Sequence, residues 1–584
     1  MARRSGRQPP TQPVVPAVKR EAARPPAWLR PAILAVAALA LMGWFSTAAA
    51  DSDTWWHLKT GQYIVRTHAL PVPDPFSFTT YMGTPLYPGE ESVRDFNLKF
   101  EWLAEVLTYL VWAAAGFPGV ILIRAAMLSL FAATSGAVVF HRTGGLYRAL
   151  AATGMTAFCT GVFTSDRPYQ FTNLFLAATL LILERRRGLW LLPPVFLIWS
   201  NCHAGYILGF AALGAHLGEG LFLRWRGRAP AGERKLWLVS AACFLASGIN
   251  PNGFRALTIL SAYRQSGMVA TLFEWQRPLP WPPTMIGLLL AAALGVLIRM
   301  RAQTRAADWL LLVAFAAAYF SAVRNTPFAG LIAPWVMLSY LSWKWAPPAA
   351  AAEWVTAGVT VAALLAELAA GRAFQLHPAA WKYPSGAADF LLAHHIAGPM
   401  FNSWEKGGYL LWRLWPEQRV FIDGRTLNES VFRDYQRMVQ YAGGSPGARE
   451  LLDRYGIQVI VMNGFEINSG DPYRLAVALA DPAEKEWRLV FQDAQAVVYL
   501  RHPPAGMQPL PSLEIFTSME AQCNAILAND PQRPRCARSL GWLFARKGDA
   551  GPARLWMGAY LKYRKDRNPA DDELFRRLGG TARD

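Results

Sequence analysis

Long apolar runs separated by short polar connections dominate the chain. The first, residues 31–50, reads PAILAVAALALMGWFSTAAA, close to the ~20 residues a helix needs to cross a bilayer. Further apolar windows lie near 118–140, 146–165, 169–184, 188–203, 205–223, 236–250, 284–299, 307–323, 327–343 and 353–371. The connections alternate in charge. His141-Arg142 to Arg148, Arg185-Arg186-Arg187, Arg224 to Lys235, Arg299 to Arg305, and Lys344 share one side with the N-terminus. Asp166-Arg167-Pro168-Tyr169, Asn201-Cys202-His203-Ala204, Asn250 to Trp281 and Arg324-Asn325-Thr326-Pro327 share the other. Basic loops stay in the cytoplasm. The alternation therefore predicts about eleven spans, a cytoplasmic N-terminus and an exported C-terminal part.

Between the runs the pattern changes three times. Residues 1–30 are rich in Pro, Arg and Ala without periodicity and are expected to form a disordered cytoplasmic tail. Residues 51–100 form a long outer loop. It starts as a short helix, is broken by Pro71, Pro73 and Pro75, and is expected to be mobile over 84–98. Then FEWLAEVLTYLVWAAAG, 100–116, places Glu101 and Glu105 at i, i+4 and predicts a helix lying in the interface. The transmembrane domain thus covers 31–371. From 372 to 511, short β-rich runs alternate with helical stretches, which predicts a small α/β domain. Residues 512–584 are helical and include one tetratricopeptide-type hairpin.

Composition agrees with a multi-pass membrane protein: 53% of the 584 residues are hydrophobic and 24 are Trp. The net charge of +18 is dispersed between apolar runs, and no nucleic-acid-binding motif is present. Five Cys are too few for a disulfide framework. Cys523 and Cys536 alone lie outside the spans, and an exported C-terminal part would let them pair.

Ionisable residues collect on the outer side: Asp51, Asp53, His57, Glu101, Glu105, Asp166, Arg167, His203, Glu274 and Arg324. Charges at helix ends in a membrane protein are costly unless paired or used. Carboxylates beside arginines suit a site that grips a phosphate and activates a hydroxyl. Several of these residues also have a simpler reading. Asp51 or Asp53 would cap the helix starting at Thr54. His203 would be a packed helix-end residue, and Arg167 and Arg324 partners of Asp166 or Glu274. Asp423-Gly424-Arg425 would be a turn closed by a salt bridge. Two carboxylates alone do not establish a divalent metal site.

The acidic motif at the outer end of the first span, with a long first loop ending in an amphipathic helix, resembles the GT-C superfamily of membrane glycosyltransferases. The likeness is closer to bacterial GT-C-like proteins carrying D-x-D-x-WWHL-x-x-G (Asp51 to Gly61), P-x-x-DPFS (Pro71 to Ser77), EWL-x-E (Glu101 to Glu105) and GGYLLW…VFIDGR (Gly407 to Arg425). Arg167-Pro168, Asn201 to His203, Asn250 to Gly253 and Glu274-Trp275 belong to the same set. The resemblance implies transfer of a sugar from a polyprenyl-phosphate donor to a glycan, lipid or protein acceptor, outside the cytoplasm of a bacterial inner membrane. It implies a first-loop Asp as base. The expected site is then Asp51, Asp53, His57 and Glu101 as catalytic groups, with Arg167, His203, Glu274 and Arg324 binding substrate, in one cavity. The acids are spaced D-x-D rather than adjacent, and the WWDYG signature of oligosaccharyltransferases is absent. A transporter for lipid-linked glycans or a membrane scaffold are the alternatives.

Overall fold

The computed structural model describes residues 25–580 except 229–231, 280–283, 342–348, 426, 441–445, 467–468 and 566–567. Most of the expected tail, together with Trp281 and Lys344, lies outside the described residues.

Each apolar run forms a helix. In chain order these are α1 (Leu29–Phe45), the loop helices α2 (Thr54–Thr67) and α3 (Glu90–Asn97), and then α4 (Trp102–Thr143), α5 (Leu146–Thr160), α6 (Tyr169–Arg185), α7 (Leu192–Cys202), α8 (Tyr206–Trp225) and α9 (Glu233–Ser247). The short α10 (Ile259–Tyr263) and α11 (Gly267–Thr271) precede α12 (Met285–Arg299), α13 (Ala306–Ser321), α14 (Thr326–Tyr340) and α15 (Ala349–Ala369). Among the described residues three helical stretches are long and apolar enough to cross a membrane: Glu90–Thr143, Tyr206–Trp225 and Ala351–Ala369. Leu29–Phe45, Leu189–Cys202, Met285–Arg299 and Ala306–Ser321 are apolar but shorter. Their outer surfaces stay apolar: Leu245, Val313 and Val355 are 67%, 62% and 66% exposed. Such a surface belongs in lipid rather than water.

Inside α4, Gly116 adopts φ 60°, ψ −157° and Pro118 follows. Only glycine enters that conformation without strain, and proline lacks the N–H a continuous helix would use. The expected interfacial helix and the following span are therefore one element bent at Gly116. The run around Asn201 is two helices, not one bent span: α7 ends at Cys202, His203 is extended, and α8 begins at Tyr206.

The stretch 84–98, expected to be mobile, contains the ordered helix α3. Val93 and Phe96 are buried, and the Glu90 carboxylate accepts hydrogen bonds from the N–H groups of Leu86 and Glu429. Tertiary contacts there outweigh the breaker-rich local sequence.

The C-terminal part begins with α16 (Ser385–Ala393), β1 (Met400–Asn402) and α17 (Trp404–Leu414). It continues through α18 (Glu429–Val439), α19 (Pro446–Arg454), β2 (Val459–Met462), α20 (Arg474–Ala478), β3 (Arg488–Gln492) and β4 (Val497–Leu500). The sheet order is β1-β2-β4-β3, with β1 parallel to β2 and the other pairs antiparallel. Every residue of β1, β2 and β4 is buried, as in a sheet covered on both faces. Helices α21 (Glu514–Asn529), α22 (Arg535–Lys547), α23 (Ala550–Tyr563) and α24 (Pro569–Arg577) complete the chain. Helices α22 and α23 form a hairpin turned at Gly548, φ 88°. Cys523 and Cys536 are joined by a disulfide with a Cα–Cα distance of 5.6 Å.

The first outer loop is fastened to this C-terminal part. Ser77 bridges Val420, and the fully buried Arg425 guanidinium pairs with Asp74 Oδ1 (2.7 Å) and Asp423 Oδ2 (2.7 Å). Asp423-Gly424-Arg425 is thus a turn closed by salt bridges that also reaches across the chain.

At the opposite end of the bundle a second ionic network joins four helices and the start of α13. Arg142 pairs with Glu184 (2.7 Å) and Asp308 (2.8 Å), and Arg305 with Glu184 and Glu219 (both 2.9 Å). Tyr340 donates a hydrogen bond to Asp308.

Candidate functional site

Asp51 and Asp53 follow α1 and precede α2. Asp51 Oδ1 accepts the backbone N–H of Asp53 (3.0 Å), and neither carboxylate caps α2. Both turn to Arg167, which lies just before α6. Arg167 Nε is 2.6 Å from Asp51 Oδ2, and Nη2 is 3.1 Å from Asp53 Oδ2. Its third nitrogen, Nη1, is 3.7 Å from Glu274 Oε2, and Arg324 Nη1 is 3.6 Å from Glu274 Oε1. The Arg324 guanidinium also lies 4.6 Å from the Trp275 ring centroid, a cation–π arrangement. An alternating acid–base chain therefore runs Asp51/Asp53–Arg167–Glu274–Arg324, drawing on four separate segments. Arg167 does not pair with Asp166, which is taken by Arg124 (2.8 Å).

Behind it sits a second group. His57 Nδ1 is 3.1 Å from Glu105 Oε1 and 3.8 Å from Glu101 Oε2, and His203 Nε2 is 3.6 Å from Glu101 Oε1. His203 Nδ1 accepts the N–H of Gly205 (2.9 Å), so the ring proton of neutral His203 resides on Nε2, facing Glu101. The residue is therefore both a packed helix-end group and part of the site lining. Ligand atoms of His57, Glu101 and Glu105 all lie within 4.8 Å of one another, a donor set that fits a divalent cation. The Asp51 and Asp53 oxygens are instead engaged by Arg167.

All eight expected residues, Asp51, Asp53, His57, Glu101, Arg167, His203, Glu274 and Arg324, line one cavity of about 2360 Å³. The two aspartates differ in how far Arg167 offsets their burial. Burial pushes the Asp53 carboxyl up to about 6; Arg167 opposes this and Asp51 adds to it. Burial acts upward on Asp51 too, but the Arg167 charge and hydrogen bond hold it below the ordinary carboxylate value. One acid is thus fixed as an anion, while the other exchanges a proton near neutrality. Burial, then the Arg324 charge, lowers His203 to about 3, keeping it neutral.

Sequence reasoning missed three participants. Gly424 packs directly on the Asp53 carboxylate. Gly408 lies against the Ser52 carbonyl, where a β-carbon would come within 2.7 Å. Lys382 lines the cavity and donates to the Ala50 carbonyl (3.1 Å). The glycines of GGYLLW and FIDGR were visible in the sequence, but not what approaches them.

No protein-family model matches the chain, and no curated protein matches it in sequence. Among solved structures, the archaeal oligosaccharyltransferase AglB from Archaeoglobus fulgidus, in complex with an inhibitory peptide and a dolichol-phosphate, matches with a TM-score of 0.50 at 11% identity. The match covers 92% of this chain and 86% of that one. At such identity the likeness concerns the path of the chain alone, and it extends over nearly the whole molecule: a bundle of apolar helices followed by a mixed helix-and-sheet C-terminal part.

Proposed function

We propose that the protein is a membrane glycosyltransferase that moves a sugar from a polyprenyl-phosphate-linked donor to a hydroxyl-bearing acceptor on the non-cytoplasmic face. The observation that carries this reading is the pairing of two unlike aspartates on one arginine inside a large cavity at the end of an apolar bundle. Asp53, with its carboxyl near 6, serves as general base, since a base works best when its pKa lies near the operating pH. Asp51 stays ionised and fixes Arg167.

In the transfer, Asp53 takes the acceptor hydroxyl proton as the oxygen attacks the anomeric carbon. The bond from that carbon to the donor phosphate oxygen breaks, and the electron pair leaves on the phosphate. Arg324, with Arg167 beside it, receives that charge. Glu274 holds the two guanidiniums in register. Neutral His203 offers its Nε2–H toward Glu101 and adds no competing charge. A divalent cation, if held by His57, Glu101 and Glu105, would supply further positive potential behind the site.

The test is transfer of radiolabelled sugar from a polyprenyl-phosphate sugar mixture in membranes. Asp53→Asn and Arg324→Ala, at wild-type protein levels, should each reduce transfer about 100-fold or more. Unchanged transfer in Asp53→Asn would remove the catalytic role, and a wild-type protein without transfer would favour a scaffold.

A further inference from the structure

The cavity does not end at the aspartates. A second arm runs into the C-terminal part, between the start of α17, one face of α18 and one face of α22. Its walls include Trp404 and Glu405 on α17, Phe432 and Tyr435 on α18, and Trp542 and Arg546 on α22. We infer that this arm is the acceptor subsite and that it takes an oligosaccharide; the inference rests on the transferase reading above.

Three observations support a sugar. The first is a pair of partly exposed indoles backed by buried rings. Trp404 meets the buried Phe432 edge-on with centroids 5.1 Å apart, and Tyr435, also buried, packs on Phe432 in turn. Trp404 and Trp542 remain half-exposed in the cavity wall. The Trp542 indole N–H donates to Asp571 (2.8 Å), which fixes the ring's orientation. Rigid aromatic faces match the C–H faces of pyranose rings at little entropic cost. The second observation is a pair of planar polar groups of opposite charge. The Glu405 carboxylate receives Asn463 Nδ2–H (2.7 Å) and the Tyr473 hydroxyl (2.9 Å), but no basic side chain within ion-pair distance among the described residues. Arg546 is exposed and pairs with no acid among the described residues. A carboxylate accepts from two neighbouring hydroxyls, and a guanidinium donates to two.

The third observation disfavours a peptide. Extended peptides are gripped through their backbone by an open strand edge. The edge strands here, β1 and β3, contribute nothing to the cavity lining, which in this arm is made by helix side chains together with Glu466, Ser469 and Asp471 to Tyr473. A prenyl chain fits poorly too, because charges of both signs interrupt the apolar surface.

The experiment uses the purified full-length protein in lipid nanodiscs. Binding of neutral trisaccharides of glucose and of N-acetylglucosamine, and of a ten-residue polar peptide, is followed by calorimetry and tryptophan fluorescence. At least one trisaccharide should bind. Trp542→Ala and the surface change Arg546→Ala should each weaken binding about tenfold. Binding of the peptide alone, of neither trisaccharide, or of a trisaccharide with undiminished affinity in both variants would overturn the inference. Trisaccharide binding that needs Trp542 and Arg546 in a protein without transfer activity would sustain the subsite and dismiss the catalytic reading, so the two fail separately.

Discussion

Gly424 rests on the carboxylate of Asp53 so closely that a β-carbon there would stand 2.0 Å from Oδ1. The two residues come from distant parts of the chain, one directly after the first apolar helix and the other between α17 and α18. Replacement of Gly424 by alanine should push the Asp53 side chain off Arg167. Transfer is expected to fall at least tenfold, with only a small change in melting temperature, because the clash is with one movable carboxylate. Wild-type rates in Gly424→Ala would show that the Asp53–Arg167 geometry is not needed.

Arg425 is surrounded by Asp74 and Asp423 in the interior. Arg425→Met leaves two buried carboxylates without their cation. A loss of about 3–5 kcal/mol is expected, read as a lower unfolding temperature and earlier proteolysis of the 71–80 loop. An unaltered melting curve would contradict the clamp.

The Asp53 carboxyl, raised to about 6 from an ordinary 3.8, gives two pH effects of defined sign. In the role of base proposed above it must be deprotonated, so transfer should rise with pH through about 6 and level off above. For folding, the native state holds this proton more tightly than the unfolded chain. The Asp53 contribution to stability is therefore full below about 4 and declines between about 4 and 6. Asp51, shifted the other way, contributes stability that is lost on acidification. Asp53→Asn should flatten the first stability slope and abolish the rate dependence; a profile unchanged in that variant would assign the titration elsewhere.

The Cys523–Cys536 bond links α21 to α22. Alkylation of intact cells without reduction, followed by mass spectrometry, should leave both thiols unlabelled. Removing the bond with Cys523→Ala/Cys536→Ala should cost about 3 kcal/mol, given the short loop it closes. Full labelling of both cysteines in cells would place this segment in a reducing compartment.

Local pattern carried much of the architecture. The apolar windows from 118 to 371 each became a helix, and the D-x-D after the first run lies in the cavity with Arg167, Glu274 and Arg324. What local pattern does not encode is which of several nearby charges meet. Asp166 and Arg167 are adjacent in sequence, yet they point to different partners, Arg124 and the two aspartates. Helix α3 was hidden for the same reason. Its Gly- and Pro-rich surroundings signal a loose loop, whereas Glu90 is fixed by Glu429, 339 positions away.

The Arg425–Asp74 contact spans 351 positions in sequence, and this sets an order of events during synthesis. The aspartate pair is made almost first, but the surface that encloses it is made several hundred residues later. A nascent or prematurely terminated chain therefore carries Asp51 and Asp53 before Gly424, Glu405 and Trp542 exist to wall their cavity. The chamber is completed only by the last third of the polypeptide, so truncations there should open it even where every apolar helix is intact.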